Sequence, residues 1–165
     1  MLASYRTVSA FSALVIGVVP SLAWAADTLV GTWHLVSLLS EETESKAVYK
    51  PYGDNPSGLI TYTSDGHIIY IITDPARRPP AAPKATDTEA AQLYRSMGAY
   101  AGKYKIENDK LIVNPEVASS PALVGTEQTY VFEVKGDRYE LKTNPFVSPT
   151  TGKQVVSTLV WERVK

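Results

Sequence analysis

Short alternating segments separated by tight turns restrict the possible folds of this chain more than any other feature. Ser64-Asp65-Gly66, Asn108-Asp109 and Gly136-Asp137 each separate two such segments. Tight hairpin turns need positive φ, which Gly, Asn and Asp adopt most readily, so each pair of segments indicates an antiparallel hairpin. Hairpins repeated at this spacing predict an all-β sandwich or barrel.

Nine segments have the composition of strands: residues 29–39, 46–50, 58–63, 67–73, 99–107, 110–113, 126–135, 138–143 and 154–164. An up-and-down barrel whose first and last strands pair antiparallel needs an even number of strands. Either residues 46–50 lie outside the barrel, or residues 117–123 contain a tenth strand. The second alternative is preferred, although Pro121 falls within that stretch.

One segment interrupts the succession of strands. Four prolines between Asp74 and Pro83 exclude that stretch from a β-ladder. Thr86 and Glu89 have the spacing of a helix capping box, and apolar residues at helical spacing follow them. We therefore expect one inserted helix over residues 87–97, which would cap or plug one end of a barrel.

Alternation along the strands predicts which side chains face inward, because charged residues face water. The inward positions include Tyr100, Tyr104, Gln128, Tyr130, Phe132, Tyr139, Trp161 and Arg163. In the first strand we assign Trp33, Leu35, Ser37 and Leu39 to the inner face. Such an interior either forms a solid core or surrounds a cavity. Buried tyrosine hydroxyls need partners and solid cores prefer aliphatic residues, so the pattern favours a cavity.

The N-terminus has the pattern of a secretory signal peptide over residues 1–25. Arg6 precedes an apolar run, residues 8–19, and Ala23-Trp24-Ala25 then forms an A-x-A cleavage site. The run is shorter than the roughly 20 residues of a transmembrane helix. We expect cleavage near Ala25, a periplasmic or secreted protein, and one domain over residues 26–165.

Composition restricts the possible partners. The chain has no cysteine, which excludes disulfides and a lipoprotein anchor. It has 16 basic and 17 acidic residues, and only one of them, Arg6, falls in the predicted leader. This near balance does not favour nucleic acid or an anionic membrane surface as a partner.

Several stretches together resemble the lipocalin-like domain family of bacteria and fungi: LVGTWHLVS, LITYTSDGH, MGAYAGKYKIE, VGTEQTYVFEVKGDRYEL and LVWERVK. They span nearly all of residues 29–165. The resemblance implies an antiparallel up-and-down β-barrel of eight to ten strands around a central cavity. In the related calycin pattern, a Trp near the start of the first strand packs under an Arg near the end of the last. Trp33 and Arg163 match those positions, and they would close one end of the barrel.

The chain also departs from related families. It lacks the Thr-Asp-Tyr motif and the later helix of classical lipocalins, so it does not resemble a classical member. Relatives in the narrower family often carry histidines on the strand that here reads LIVNPEV, and a basic residue where Tyr130 stands. A polar mechanism cannot be transferred to this chain from those relatives.

Few residues suggest chemistry beyond binding. His34 and His67 are predicted to lie at the surface, and we expect neither a metal site nor a cofactor. No recognisable catalytic motif is present, and Arg77-Arg78 is most simply a solvated pair.

We therefore predict a secreted barrel that binds a small hydrophobic or aromatic ligand. A cyclase or isomerase using the same cavity is an alternative, as is a filled barrel that acts as a structural or partner-binding module. The predicted ligand-binding residues are Tyr100, Tyr104, Gln128, Tyr130, Phe132, Tyr139 and Trp161.

Overall fold

The computed structural model describes residues 28–107 and 109–165, which contain ten strands, one α-helix and one short 3₁₀ helix. The strands are β1 (Gly31–Glu42), β2 (Val48–Tyr49), β3 (Ser57–Tyr62), β4 (His67–Thr73), β5 (Met97–Glu107), β6 (Lys110–Ala118), β7 (Gln128–Lys135), β8 (Arg138–Thr143), β9 (Phe146–Val147) and β10 (Gln154–Arg163). The helix α1 spans Asp87–Arg95 and the 3₁₀ helix Pro121–Leu123. The predicted leader, residues 1–25, lies outside the described residues.

Eight of these strands form a closed antiparallel barrel. The order is β1, β3, β4, β5, β6, β7, β8 and β10, and β10 pairs back onto β1. The short strands β2 and β9 extend the edges of β1 and β10. The predicted lipocalin-like all-β barrel is confirmed. We call the end where β1 begins and β10 ends the floor, and the opposite end the mouth.

The barrel has eight strands, which agrees with the first alternative, in which residues 46–50 lie outside the barrel. The predicted strand at residues 46–50 shrinks to β2, which lies outside the barrel and leaves an even number. The tenth strand expected within residues 117–123 was wrong, because Pro121–Leu123 is a 3₁₀ helix. Proline has no backbone N–H to donate to a ladder, and it is well tolerated at a helix start. The sheet reaches ten strands through the short strand β9, which pairs with β10.

The predicted tight turns join the hairpins. Gly66 has a φ of 86° and Gly136 a φ of 62°. In the β5–β6 hairpin, Glu107 pairs with Lys110, and Asp109 has a φ of 63°. Asn108 itself is not among the described residues. The turn residues thus supply the left-handed conformations that the hairpins require.

The capping box predicted from Thr86 and Glu89 is present at the start of α1. The Glu89 amide donates to the Thr86 hydroxyl, and the Thr86 amide donates to the Glu89 carboxylate at 2.8 Å. The Ala81 amide also donates to this carboxylate, at 3.0 Å, and these backbone donors lower the pKa of Glu89. The helix ends at Arg95, two residues before the predicted end, because Met97 already pairs with Thr73 in the sheet.

A β-bulge in β1 corrects the predicted inner face of that strand. Trp33 and Leu35 face inward as expected, but the pairing with β10 shifts register between Leu35 and Ser37. An inserted residue exchanges the two faces of the strand beyond it. Leu38 is therefore buried, and Leu39, which was assigned to the interior together with Ser37, is 38% exposed.

A buried pair of serines near the mouth offers a test of this shifted register. The hydroxyls of Ser40 and Ser157 lie 2.7 Å apart, and both side chains are buried. Ser157→Ala should lower the free energy of unfolding by about 1–3 kcal/mol, because the Ser40 hydroxyl loses its partner. In urea unfolding, the double variant Ser40→Ala/Ser157→Ala should have a free energy of unfolding closer to that of the unmodified protein than the Ser157→Ala variant has. Additive losses in the double variant would contradict the contact.

Candidate functional site

Trp33 and Arg163 meet at the floor of the barrel, as the sequence predicted. They are register partners in the β1–β10 ladder, and the guanidinium carbon of Arg163 lies 4.0 Å from the centroid of the indole. The indole Nε1–H donates to the Leu29 carbonyl at 2.8 Å. The guanidinium also donates to the carbonyls of Val30 at 2.8 Å and Thr28 at 2.7 Å. The contact therefore ties the chain before β1 to the end of the last strand.

The glycine of the Gly-x-Trp motif makes room for this arginine. Gly31 has a φ of 126°, and a Cβ there would lie 2.8 Å from the Nη1 atom of Arg163. Any other residue at position 31 would have a strained backbone, and its Cβ would be too close to Arg163. Gly31 thus belongs to the same closure as Trp33 and Arg163.

Aromatic rings connect opposite walls of the barrel above the floor. Tyr70 and Tyr100 are stacked with centroids 4.6 Å apart, and Tyr139 and Trp161 are stacked at 6.1 Å. Tyr70 also meets Trp161 edge to face at 6.0 Å. These contacts bring together Tyr100, Tyr139 and Trp161, three of the residues predicted to bind a ligand.

The hydroxyls of the interior tyrosines interact with one another. The hydroxyls of Tyr62 and Tyr139 lie 3.2 Å apart, and Tyr100 and Tyr130 face the same interior from β5 and β7. We call Tyr62, Tyr70, Tyr100, Tyr130 and Tyr139 the tyrosine cluster. Burial raises the pKa of Tyr130, and it raises the pKa of the other four well above the usual value. The cluster therefore offers neutral hydroxyls and apolar ring faces.

The inward residues of the barrel differ in how completely they are buried. On β1, β3, β8 and β10, the inward residues Leu35, Ile60, Leu141, Leu159 and Trp161 are buried. On β4, β5 and β7 the inward aromatic residues Tyr70, Tyr100, Tyr104, Tyr130 and Phe132 are only partly buried. An inward side chain of a closed barrel keeps accessible surface only where it borders space that solvent reaches. The accessible surface of the interior therefore lies at these aromatic rings, whereas the other inward residues of β4 and β6 are buried, among them Ile68, Ile72, Leu111 and Val113.

The remaining predicted site residues lie nearer the two ends. Tyr104 packs edge to face on Tyr62 at 5.0 Å and donates its hydroxyl to the Thr63 carbonyl at 2.9 Å. Gln128 lies at the mouth and donates to the Thr126 hydroxyl at 2.7 Å, so its amide is engaged with the adjoining loop. Phe132 faces the floor.

Two cavities lie outside the tyrosine cluster. One of about 490 Å³ opens at the floor beside Arg163, and Phe132 and Val134 line it. Of the predicted ligand-binding residues, Phe132 alone is part of its wall. The other, of about 310 Å³, lies between α1 and the proline-rich loop. There Arg77 donates to the Leu93 carbonyl at 3.4 Å and so connects the loop to the helix.

Three interior tyrosines were not among the predicted site residues. Tyr62 and Tyr70 face inward on β3 and β4, where alternation along LITY and HIIYIIT would have identified them. Tyr52 comes from the loop between β2 and β3, and a Cβ on Gly98 would lie 3.3 Å from its hydroxyl. It therefore reaches the mouth near Tyr70. No periodicity marks Tyr52, because it stands in a Pro/Gly-rich loop.

The charged side chains on the inner faces of the described strands are engaged at the two ends. Arg163 is bound at the floor as described above. At the mouth, the Glu42 carboxylate accepts hydrogen bonds from Ser45 and from Lys153 Nζ, the latter at 2.7 Å. These two donors lower the pKa of Glu42. Both histidines are exposed, as predicted, with His34 beside Glu162 and His67 beside Asp65.

Comparison with known proteins agrees with this architecture. Within residues 28–107 and 109–165, no helix has the length and apolarity that crossing a membrane requires. No curated protein shows significant similarity to the sequence. The family of lipocalin-like domains matches residues 30–164, which is most of the chain and includes every strand of the barrel. The chain therefore belongs to the lipocalin-like domain family.

Proposed function

We propose that this chain is a secreted barrel that binds a small hydrophobic or aromatic ligand in its interior. One observation carries the proposal: the inward aromatic residues of β4, β5 and β7 remain partly buried inside a closed barrel. Partly buried aromatic rings inside a barrel are the lining expected of a small-molecule binding cavity. Membership of the lipocalin-like family supports a ligand-binding barrel in general.

The chemistry of the interior supports an apolar or aromatic ligand. The tyrosine cluster presents ring faces, which favour offset or edge-to-face contacts with a flat partner. Its hydroxyls would orient such a partner through hydrogen bonds. The predicted binding residues remain Tyr100, Tyr104, Gln128, Tyr130, Phe132, Tyr139 and Trp161, to which we add Tyr52, Tyr62 and Tyr70.

Native mass spectrometry of the protein, isolated from the periplasm and the medium of its own host, tests the ligand and the export together. We expect a chain that begins near residue 26 and carries a small apolar molecule. A chain that retains Met1 would contradict cleavage and export. A molecule that the protein returns chemically altered would favour the cyclase or isomerase alternative.

An uncharged fluorescent dye locates the binding site. N-phenyl-1-naphthylamine should bind the protein and quench its tryptophan fluorescence, because Trp161 lies against the tyrosine cluster. Tyr130→Ala should weaken dye binding about tenfold, which corresponds to roughly 1.4 kcal/mol of lost ring contact. Urea unfolding of the same variant separates this effect from a loss of stability.

Tyr94→Ala is the matched control, because Tyr94 is 52% exposed on α1. It should leave dye affinity unchanged. Equal affinity in the Tyr130→Ala variant would place the dye outside the barrel. If the unmodified protein binds no dye and retains no molecule, the filled-barrel alternative is favoured instead.

A further inference from the structure

Trp161 has a polar atom for which the fold provides no partner. Its side chain is 0% exposed, and its indole Nε1–H forms no hydrogen bond within the described residues. Trp33 is also fully buried, but its Nε1–H donates to the Leu29 carbonyl at 2.8 Å. A buried donor without a partner costs about 1–3 kcal/mol. Such donors are rare in native proteins and call for an explanation.

The surroundings of this donor are aromatic and uncharged. Trp161 stacks on Tyr139 and makes a T-shaped contact with Tyr70, and both phenol groups stay neutral because burial raises the pKa of each. The inward charged residues of the described strands, Glu42 and Arg163, are already engaged at the two ends. An anionic ligand would therefore be buried without a free cation, which is very costly.

We propose that Trp161 is the specificity-determining donor of the binding site, and that it donates Nε1–H to an acceptor oxygen of an uncharged, flat ligand. This inference rests on the proposed function. A carbonyl group on a flat aromatic ring system has the required chemistry. Its oxygen accepts a hydrogen bond in the plane of the rings, and the faces of the rings can stack on the tyrosines. Tyr70 is partly buried and contacts Trp161, so the accessible surface of the interior borders the indole.

Three probes of similar shape separate these requirements: 9-fluorenone has a carbonyl acceptor, fluorene has none, and fluorene-2-carboxylate is an anion. The measured quantity is the ratio of the dissociation constants of fluorene and 9-fluorenone. Trp161→Phe should lower this ratio about threefold to tenfold, the effect of one hydrogen bond, while fluorene binding changes little. Fluorene-2-carboxylate should bind more weakly than fluorene by at least about a hundredfold.

Trp33→Phe is the matched control, because it makes the same chemical change at an indole whose N–H is already bonded within the fold. Its ratio should equal that of the unmodified protein. If the Trp161→Phe variant does not fold, the indole ¹H–¹⁵N spectrum of the unmodified protein replaces it. The Trp161 signal should then move downfield with 9-fluorenone and not with fluorene, with the Trp33 signal as the internal reference.

The outcomes distinguish this inference from the proposed function. If both neutral probes bind and the ratio does not respond to Trp161→Phe, the role of Trp161 is overturned and the binding barrel stands. An indole signal that responds equally to both probes overturns it in the same way. If neither neutral probe binds the unmodified protein, both proposals are overturned. Tight binding of the carboxylate overturns the requirement for an uncharged ligand.

Discussion

Replacing Trp33 by alanine is expected to lower the free energy of unfolding by about 3–5 kcal/mol, the usual range for a large buried aromatic residue. The ring is fully buried and meets Tyr139 edge to face at 4.8 Å. The substitution also removes the surface on which the Arg163 guanidinium rests and the donor to the Leu29 carbonyl. Urea unfolding followed by circular dichroism measures the loss.

Leu39→Ala is the matched control on the same strand. Leu39 lies beyond the bulge and is 38% exposed, so its truncation should cost less than about 1 kcal/mol. A comparably small loss in the Trp33→Ala variant would show that the floor of the barrel does not depend on this side chain. A large loss in the Leu39→Ala variant would contradict the bulge.

Alkaline pH should destabilise the protein steeply. Burial raises the pKa of Tyr62, Tyr70, Tyr100 and Tyr139 well above the usual 10.0, whereas the same groups in the unfolded chain ionise near 10.0. Above that pH the folded protein binds more protons than the unfolded chain, so stability falls as pH rises. Well above pH 10 each tyrosine contributes at most about 1.4 kcal/mol per pH unit, and the four together at most about 5.5 kcal/mol per pH unit. Below pH 10 their contribution is fully present.

Urea unfolding at a series of pH values above about 9 measures this slope. The double variant Tyr70→Phe/Tyr100→Phe removes two of the four groups and should reduce the slope by about half. Tyr94→Phe, on the exposed face of α1, is the matched control and should leave it unchanged. A flat profile between about pH 9 and pH 11 would mean that the cluster is open to water in the folded protein.

Alternation along the sequence predicted the inner face correctly wherever charged residues define the outer one. On β7, β8 and the end of β10, Glu133, Glu140 and Glu162 face water, and the aromatic residues between them face inward. The same reasoning failed on β1 beyond Leu35. The bulge inserts one residue there, and both Leu38 and Leu39 are apolar, so composition could not reveal the change of face.

The arrangement of the candidate site could be predicted less completely than the barrel, because it depends on distances across the interior. Alternation placed Tyr100 and Trp161 inside, but it could not show that Tyr70 lies between them. The position of Tyr52 depends on the path of an irregular loop. Whether a buried indole N–H has a partner depends on whether a carbonyl oxygen lies within its reach. Trp33 has such a partner, and Trp161 has none among the described residues.

The pairing of β1 with β10 has a consequence for the order in which the barrel assembles. The hydrogen bond from Arg163 to Val30 joins residues 133 positions apart, and β10 is the last of the ten strands to be synthesised. Until β10 arrives, β1 and β8 each have an unpaired edge, which is a template for association with other chains. Contacts between such distant residues also slow folding. We therefore expect closure to be the late, slow step in folding, during which the chain is most prone to aggregation.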